Sequence, residues 1–258
     1  MIRFTRLLAL AATAILVAGC ITTRVPPEKL EGIKTVAVVT DFDDEIHQFF
    51  YGLLAFDTEH FTANVSDWNT NDYVFTKLGE HLGTRYRIVR GGKIDRSAYQ
   101  INKWTDNAAD RGEKSFATIR DKNPEADAYL LFIPDTKVNI AATVSWPVDS
   151  LGLMRASLAM RMPWAKYHQY AVYAAYDLFL IDARSGKLIA FRSGERIQGS
   201  GGSMYELPTA YIEISDDWPK DLPSVLASHR PEVEKRMKDL LDRSLRQTVQ
   251  DMGLLAQP

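Results

Sequence analysis

The chain has 258 residues, 31 basic against 33 acidic, a net charge of −2 with histidine neutral. That balance excludes the basic surface a nucleic-acid-binding protein needs for phosphate contacts, so no nucleic acid is expected as partner. Apolar residues make up 46% of the chain and aromatics 10%, which excludes a disordered polymer and leaves enough material for one folded domain with elaborations.

The first segment is a leader. Arg3 and Arg6 precede an apolar run from Leu7 to Ala18 that only Thr13 interrupts, and small residues follow. This is the layout of an export signal. Twelve residues of helix reach about 18 Å, short of the ~30 Å hydrocarbon core, so a membrane-spanning anchor is not expected. Val17-Ala18-Gly19-Cys20 resembles the lipobox of bacterial lipoproteins. The resemblance implies cleavage after Gly19, acylation of Cys20 and a domain held to a membrane by its lipid. Cys20 is the only cysteine in the chain, which fits an exported protein that uses no disulfide. Each buried CH₂ of the acyl chains contributes ~0.8 kcal/mol, so two or three chains anchor firmly. Ile21 is not the aspartate that commonly marks inner-membrane retention, and an outer-membrane location facing the periplasm is expected. Residues 1–19 are therefore read as signal peptide, 20–32 as lipidated cysteine and tether, and 33–258 as a single periplasmic domain. The tether, polar with a Pro-Pro pair, would span at most ~40 Å.

The domain opens with Thr35–Val39, an apolar β-branched run typical of a strand buried on both faces. Residues 46–65 show neither helical nor strand period and read as irregular or weakly paired strand. Asn69 or Thr70 caps a predicted helix in which Val74, Leu78 and Leu82 recur every four residues, and Gly83 stops it. A short strand, Tyr86–Val89, leads to Gly91-Gly92. The segment from Asn107 to Lys122 reads as helix with Phe116 and Ile119 inward, ended by Pro124, and Ala128–Ile133 as a second buried strand. Tyr170–Ile181 reads as one long strand, returning through Arg184-Ser185-Gly186 into Leu188–Phe191 as a β-hairpin. From Pro231 to Met252 an apolar stripe of Val233, Met237, Leu240, Leu241 and Leu245 predicts a closing amphipathic helix, with Gly253 as its stop. The predicted class is α/β: a mixed, mostly parallel sheet with flanking helices, a β-hairpin and a C-terminal amphipathic helix.

The order VAVVTDF, TKLGEHLGTRYRIV, ADAYLLFIP, VYAAYDLFLIDARSGKLIAFRSG and a final amphipathic helix resembles a broad group of bacterial envelope lipoproteins. Their domains are similar to the amino-terminal domain of TolB and the periplasmic domain of CsgG. The resemblance, over roughly Ile33 to Met252, implies a non-enzymatic envelope protein that acts through protein partners or within an assembly; it does not give the oligomeric state. The sequence departs from a CsgG-like pore in having no pair of long strands alternating apolar and polar.

Three groups of residues are candidates for function. Asp41 and Asp43 follow the first strand in the run Asp41–His47, where α/β sheets gather ligands, and Asp135 follows the Ala128–Ile133 strand. The Asp-x-Asp pattern is similar to that of the haloacid-dehalogenase phosphatases, and a metal-dependent hydrolase is the alternative function. Asp44-Glu45 stands where that family has Gly and Thr. The five histidines, His47, His60, His81, His168 and His229, show no three- or four-residue zinc spacing, so no metal site and no cofactor are expected. There is no Gly-x-Ser-x-Gly elbow and no GxxxxGK[ST] phosphate loop; Gly199–Ser203 reads as a loop. The third group is Met154, Arg155, Met160, Arg161, Met162 and Trp164. It reads either as an adaptable partner-binding surface or as a loop or short helix folded over a sheet edge with its methionines in the core.

Overall fold

The computed structural model describes residues 25–51, 58–102, 105–134, 137–141, 144–147, 150–157, 168–193, 218–219 and 221–255. Cys20, Asp135, Met160, Arg161, Met162 and Trp164 lie outside the described residues, as do the leader and the 199–203 loop.

The first sheet is built on β1 (Thr35–Thr40), with β4 (Arg87–Arg90) on one side and β7 (Ala128–Pro134) on the other, both parallel to it. β12 (Tyr176–Asp182) pairs antiparallel with β7, and β13 (Leu188–Ser193) closes the edge, giving the order β13-β12-β7-β1-β4. Strand alternation splits β1 between two cores. Val36 and Val38 face a layer containing Val74, Leu78 and Leu82 of helix α2 (Thr70–Leu82) and Leu240, Leu241 and Leu245 of helix α4 (Leu222–Asp251). Ala37 and Val39 face the other layer, with Phe116 of helix α3 (Ala108–Ala117), Tyr129, Leu131 and Phe179. Burying each such side chain contributes about 1.5–3 kcal/mol, which is why an unbroken apolar run, exposed on neither face, makes a central strand. Gly112 lets α3 come close to the sheet: a Cβ there would meet Phe179 Cδ1 at 2.7 Å.

The second sheet has the order β11-β10-β2-β3 and consists of two hairpins laid side by side. β2 (Glu45–Tyr51) pairs antiparallel with β3 (Thr58–Asn64), and β10 (Leu151–Ser157) pairs antiparallel with β11 (His168–Ala174). β10 also runs parallel to β2, with Leu153 opposite Gln48. Of the 46–65 segment, read as irregular or weakly paired strand, the described residues up to Asn64 are paired strand, and the irregular alternative is set aside for them. Their apolar stretch lacks alternation, and the ladder depends on β10, about a hundred residues away. The 151–164 segment is corrected likewise. Its described part is an interior strand, with Met154 and Arg155 on β10 between β2 and β11, and not a loop or helix over an edge.

The long strand expected over 170–181 is two strands in different sheets. The chain turns the corner at Ala175, whose N–H donates to the Ser150 carbonyl at 2.6 Å. Residues 172–181 are buried throughout, so hydropathy carries no mark of the corner. The helix predicted over 107–122 ends at Ala117. Asn107 caps it in a reciprocal capping box with Asp110, and Ile119 belongs to the short strand β6 (Ile119–Arg120), paired with β5 (Lys93–Ile94). A further hairpin, β8 (Lys137–Ala141) with β9 (Val144–Pro147), follows β7. Asn69 precedes α2 in the left-handed region and makes no side-chain cap. The final element is two helices joined across a kink at His229: Asp221 caps the first at Leu222, and the second, from about Pro231, is the helix that the stripe predicts.

The protein is therefore an α/β protein with mixed sheets and a closing helix. Parallel pairing is confined to β4–β1–β7 and β2–β10 among the described residues, so "mostly parallel" is too broad. None of the described helices is long and apolar enough to cross a membrane.

Candidate functional site

In α/β sheets the crevice forms beyond the carboxyl ends of the strands, where successive crossovers leave to opposite faces. Here that place is the junction of β1 with β7. The α2 crossover leads to β4 on one side, and the α3 crossover returns to β7 on the other. Asp41 sits at this point, its N–H donating to the Phe132 carbonyl at 3.2 Å. Asn71, in the first turn of α2, holds the following loop by both ends of its amide: Oδ1 accepts from Phe42 N–H and Nδ2 donates to the Phe42 carbonyl, each at 2.9 Å.

The two aspartates at this end converge on a cation within the protein. Arg96 Nε donates to Asp41 Oδ2 at 2.8 Å, and its other nitrogens donate to Asp43 Oδ1 and to the Asp41 carbonyl. Burial pushes the Asp41 carboxyl above its ordinary range and Asp43 adds to the rise, while the hydrogen bond and charge of Arg96 oppose both. The loop that carries Arg96 is itself fixed. Asp95 accepts from the Ser97 N–H at 3.0 Å and from Arg120 Nε at 3.0 Å. Its bonds to Arg120 and Ser97 hold its pKa down at about 2. One guanidinium thus closes the Asp-x-Asp pair, an arrangement suited to holding the 41–43 loop and unlike an open carboxylate site awaiting a divalent ion. Among the described residues no three His, Cys, Asp or Glu side chains are grouped to hold a metal.

A second buried charge lies on the same sheet. Asp177, near the start of β12, is 5% exposed; it accepts from Arg111 Nη2 at 3.0 Å and from Ser193 Oγ at 2.8 Å. Arg111 lies over the Phe191 ring, 5.5 Å from its centroid. Between the two clusters stands Tyr99, its hydroxyl accepting from Ser115 Oγ at 3.2 Å; burial raises its pKa, and the charges of Asp41 and Asp177 add to that.

The histidines serve separate ends. His47 Nδ1 and His60 Nε2 share a hydrogen bond of 3.2 Å across the β2–β3 hairpin. His81 Nε2 meets Asp242 at 3.0 Å, joining α2 to α4. His229 stacks on Trp218 at 4.8 Å, and His168 begins β11.

Sequence reading missed Arg96, Asn71, Arg111 and Asp177. Arg96 is separated from its partners by more than fifty residues and has no local mark. Asp177 had one: a lone acid inside an apolar strand requires a buried partner.

No family model matches the chain, and searches of curated proteins and of solved structures return no match.

Proposed function

We propose that this chain is a lipid-anchored lipoprotein of the cell envelope, acting by binding a protein partner and not by catalysis. The observation that carries the second half of this reading is the Arg96 bridge. It commits Asp41 and Asp43 to an internal ion pair, so the residues best placed for a phosphatase-like reaction serve the loop's conformation. The first half rests on the leader and on Val17–Cys20, with Ile21 favouring the periplasmic face of an outer membrane. The element order that resembles TolB-like and CsgG-like envelope domains supports the same reading.

The test has two arms. Photo-crosslinkers placed at Met154, Arg155, Met160, Arg161, Met162 and Trp164 of the native lipoprotein should trap a discrete partner in intact envelopes; recovery of uncrosslinked chain alone counts against binding. A Mg²⁺-dependent phosphatase activity that disappears in Asp41→Asn would overturn the non-catalytic reading. Cys20→Ser should release the protein from the membrane fraction.

A further inference from the structure

The tether expected over residues 20–32 is for the most part not a tether. Val25 is 4% exposed, and its N–H donates to the carbonyl of Met252 at 3.3 Å, just past the end of α4. The single helical turn α1 (Pro27–Leu30) follows, with Leu30 buried in the same core as Leu82, Tyr86, Met252 and Leu254. Glu31 N–H donates back to the Pro27 carbonyl and Ile33 N–H to that of Leu30. Gly32, at φ +88°, then turns the chain toward β1, a conformation that favours glycine. From the other side Arg85 donates to the Gly253 carbonyl at 3.1 Å, tying the C-terminal segment to the same end.

Val25 therefore already belongs to the folded body. Only Ile21, Thr22, Thr23 and Arg24 separate it from Cys20, and five extended steps reach at most about 18 Å. The turn at Asp67, beside the end of β3, lies far from this point. Arg230 of α4 pairs with Asp67 beside the end of β3, and from Arg230 to Met252 a helix rises about 33 Å.

We propose that the domain is held against the bilayer by a leash of four residues. The end made by α1, Arg85 and Met252–Leu254 faces the lipid headgroups, and the Arg230–Asp67 end of α4 is carried away from them. The covalent leash, and not surface charge, sets this orientation, because exposed Lys29, Lys34 and Arg85 at that end are interspersed with Glu28 and Glu31. The inference rests on the acylation of Cys20 proposed above and adds which face the lipid surface meets.

The experiment uses the full-length lipoprotein in phosphatidylethanolamine–phosphatidylglycerol vesicles carrying a short-range headgroup quencher. With Cys20 blocked by its lipid, a cysteine introduced as Lys29→Cys or as Ala227→Cys takes a unique fluorophore. Mass measurement of the amino-terminal peptide reports acylation in the same samples. Quenching at position 29 should exceed that at 227 by about threefold or more, given reaches of ~18 Å against more than ~33 Å. It should persist in high salt and in phosphatidylcholine vesicles, because a covalent tether is not screened. Ten Gly/Ser residues inserted after Arg24, adding up to ~35 Å of reach, should bring the two positions toward parity. Acylated protein quenched equally at both positions overturns the leash and leaves the anchor standing, as does a difference that vanishes in salt. A bare Cys20 sulfur overturns the anchor and the leash with it.

Discussion

Gln48 occupies a position on β2 that an apolar residue would fill better. It is fully buried, beside Ile46 on the same face of the strand and opposite Leu153 of β10 and Phe61 of β3. Among the described residues neither its Oε1 nor its Nε2 has a hydrogen-bond partner. A buried polar group left unmet costs about 1–3 kcal/mol, whereas replacement by an apolar group of similar shape removes that cost. Gln48→Met keeps length and flexibility while deleting both polar atoms. The substitution should stabilise the protein by about 1–3 kcal/mol. At roughly 2–4 °C per kcal/mol for a domain of this size, the midpoint should rise about 2–12 °C. Thermal unfolding of the full chain in detergent, followed by circular dichroism, measures it, with urea midpoints as a check that the slope is unchanged. A lower midpoint for Gln48→Met would refute the reasoning, since it would mean that the amide is satisfied in solution, as by a buried water.

Arg96→Met should cost about 1–3 kcal/mol at neutral pH, because it strands the mostly buried Asp41 beside Asp43. Folding already raises the Asp41 pKa, so ionisation of that group opposes folding. The mutant's deficit should therefore be larger at pH 7 than near pH 4 in urea titrations, and an equal deficit at both would argue against the ion pair. Asp95 has the opposite sign. Its pKa is lowered to about 2 from 3.8, so its contribution is present above pH 3.8 and lost as pH falls through about 2. Asp95→Asn should be less stable than the parent at pH 6 and converge with it at the acid end. Gly112→Ala places a methyl against Phe179; overpacking of about 1–3 kcal/mol should outweigh the ~1 kcal/mol gain in helix propensity, visible as a net fall in urea midpoint.

Local chemistry in the sequence determined the central strands at 35–39 and 128–133, the α2 stripe of Val74, Leu78 and Leu82, and the apolar face of the closing helix. In each, one residue after another faces the same environment, so the periodicity of burial is written in adjacent letters. The Asp-x-Asp pair after the first strand was legible for the same reason: strand ends carry their loops with them. Only the tertiary structure decided what required distant partners. Gln48 and its neighbours became a strand because β10 lies beside them, and the run through Ala175 broke because two sheets meet there. Arg96 closed the carboxylate pair from another loop, and Val25 was drawn into the fold by a carbonyl at the opposite end of the chain. Backbone hydrogen bonds across a ladder and ion pairs between loops depend on positions in space, and a one-dimensional pattern does not encode which distant residue will arrive.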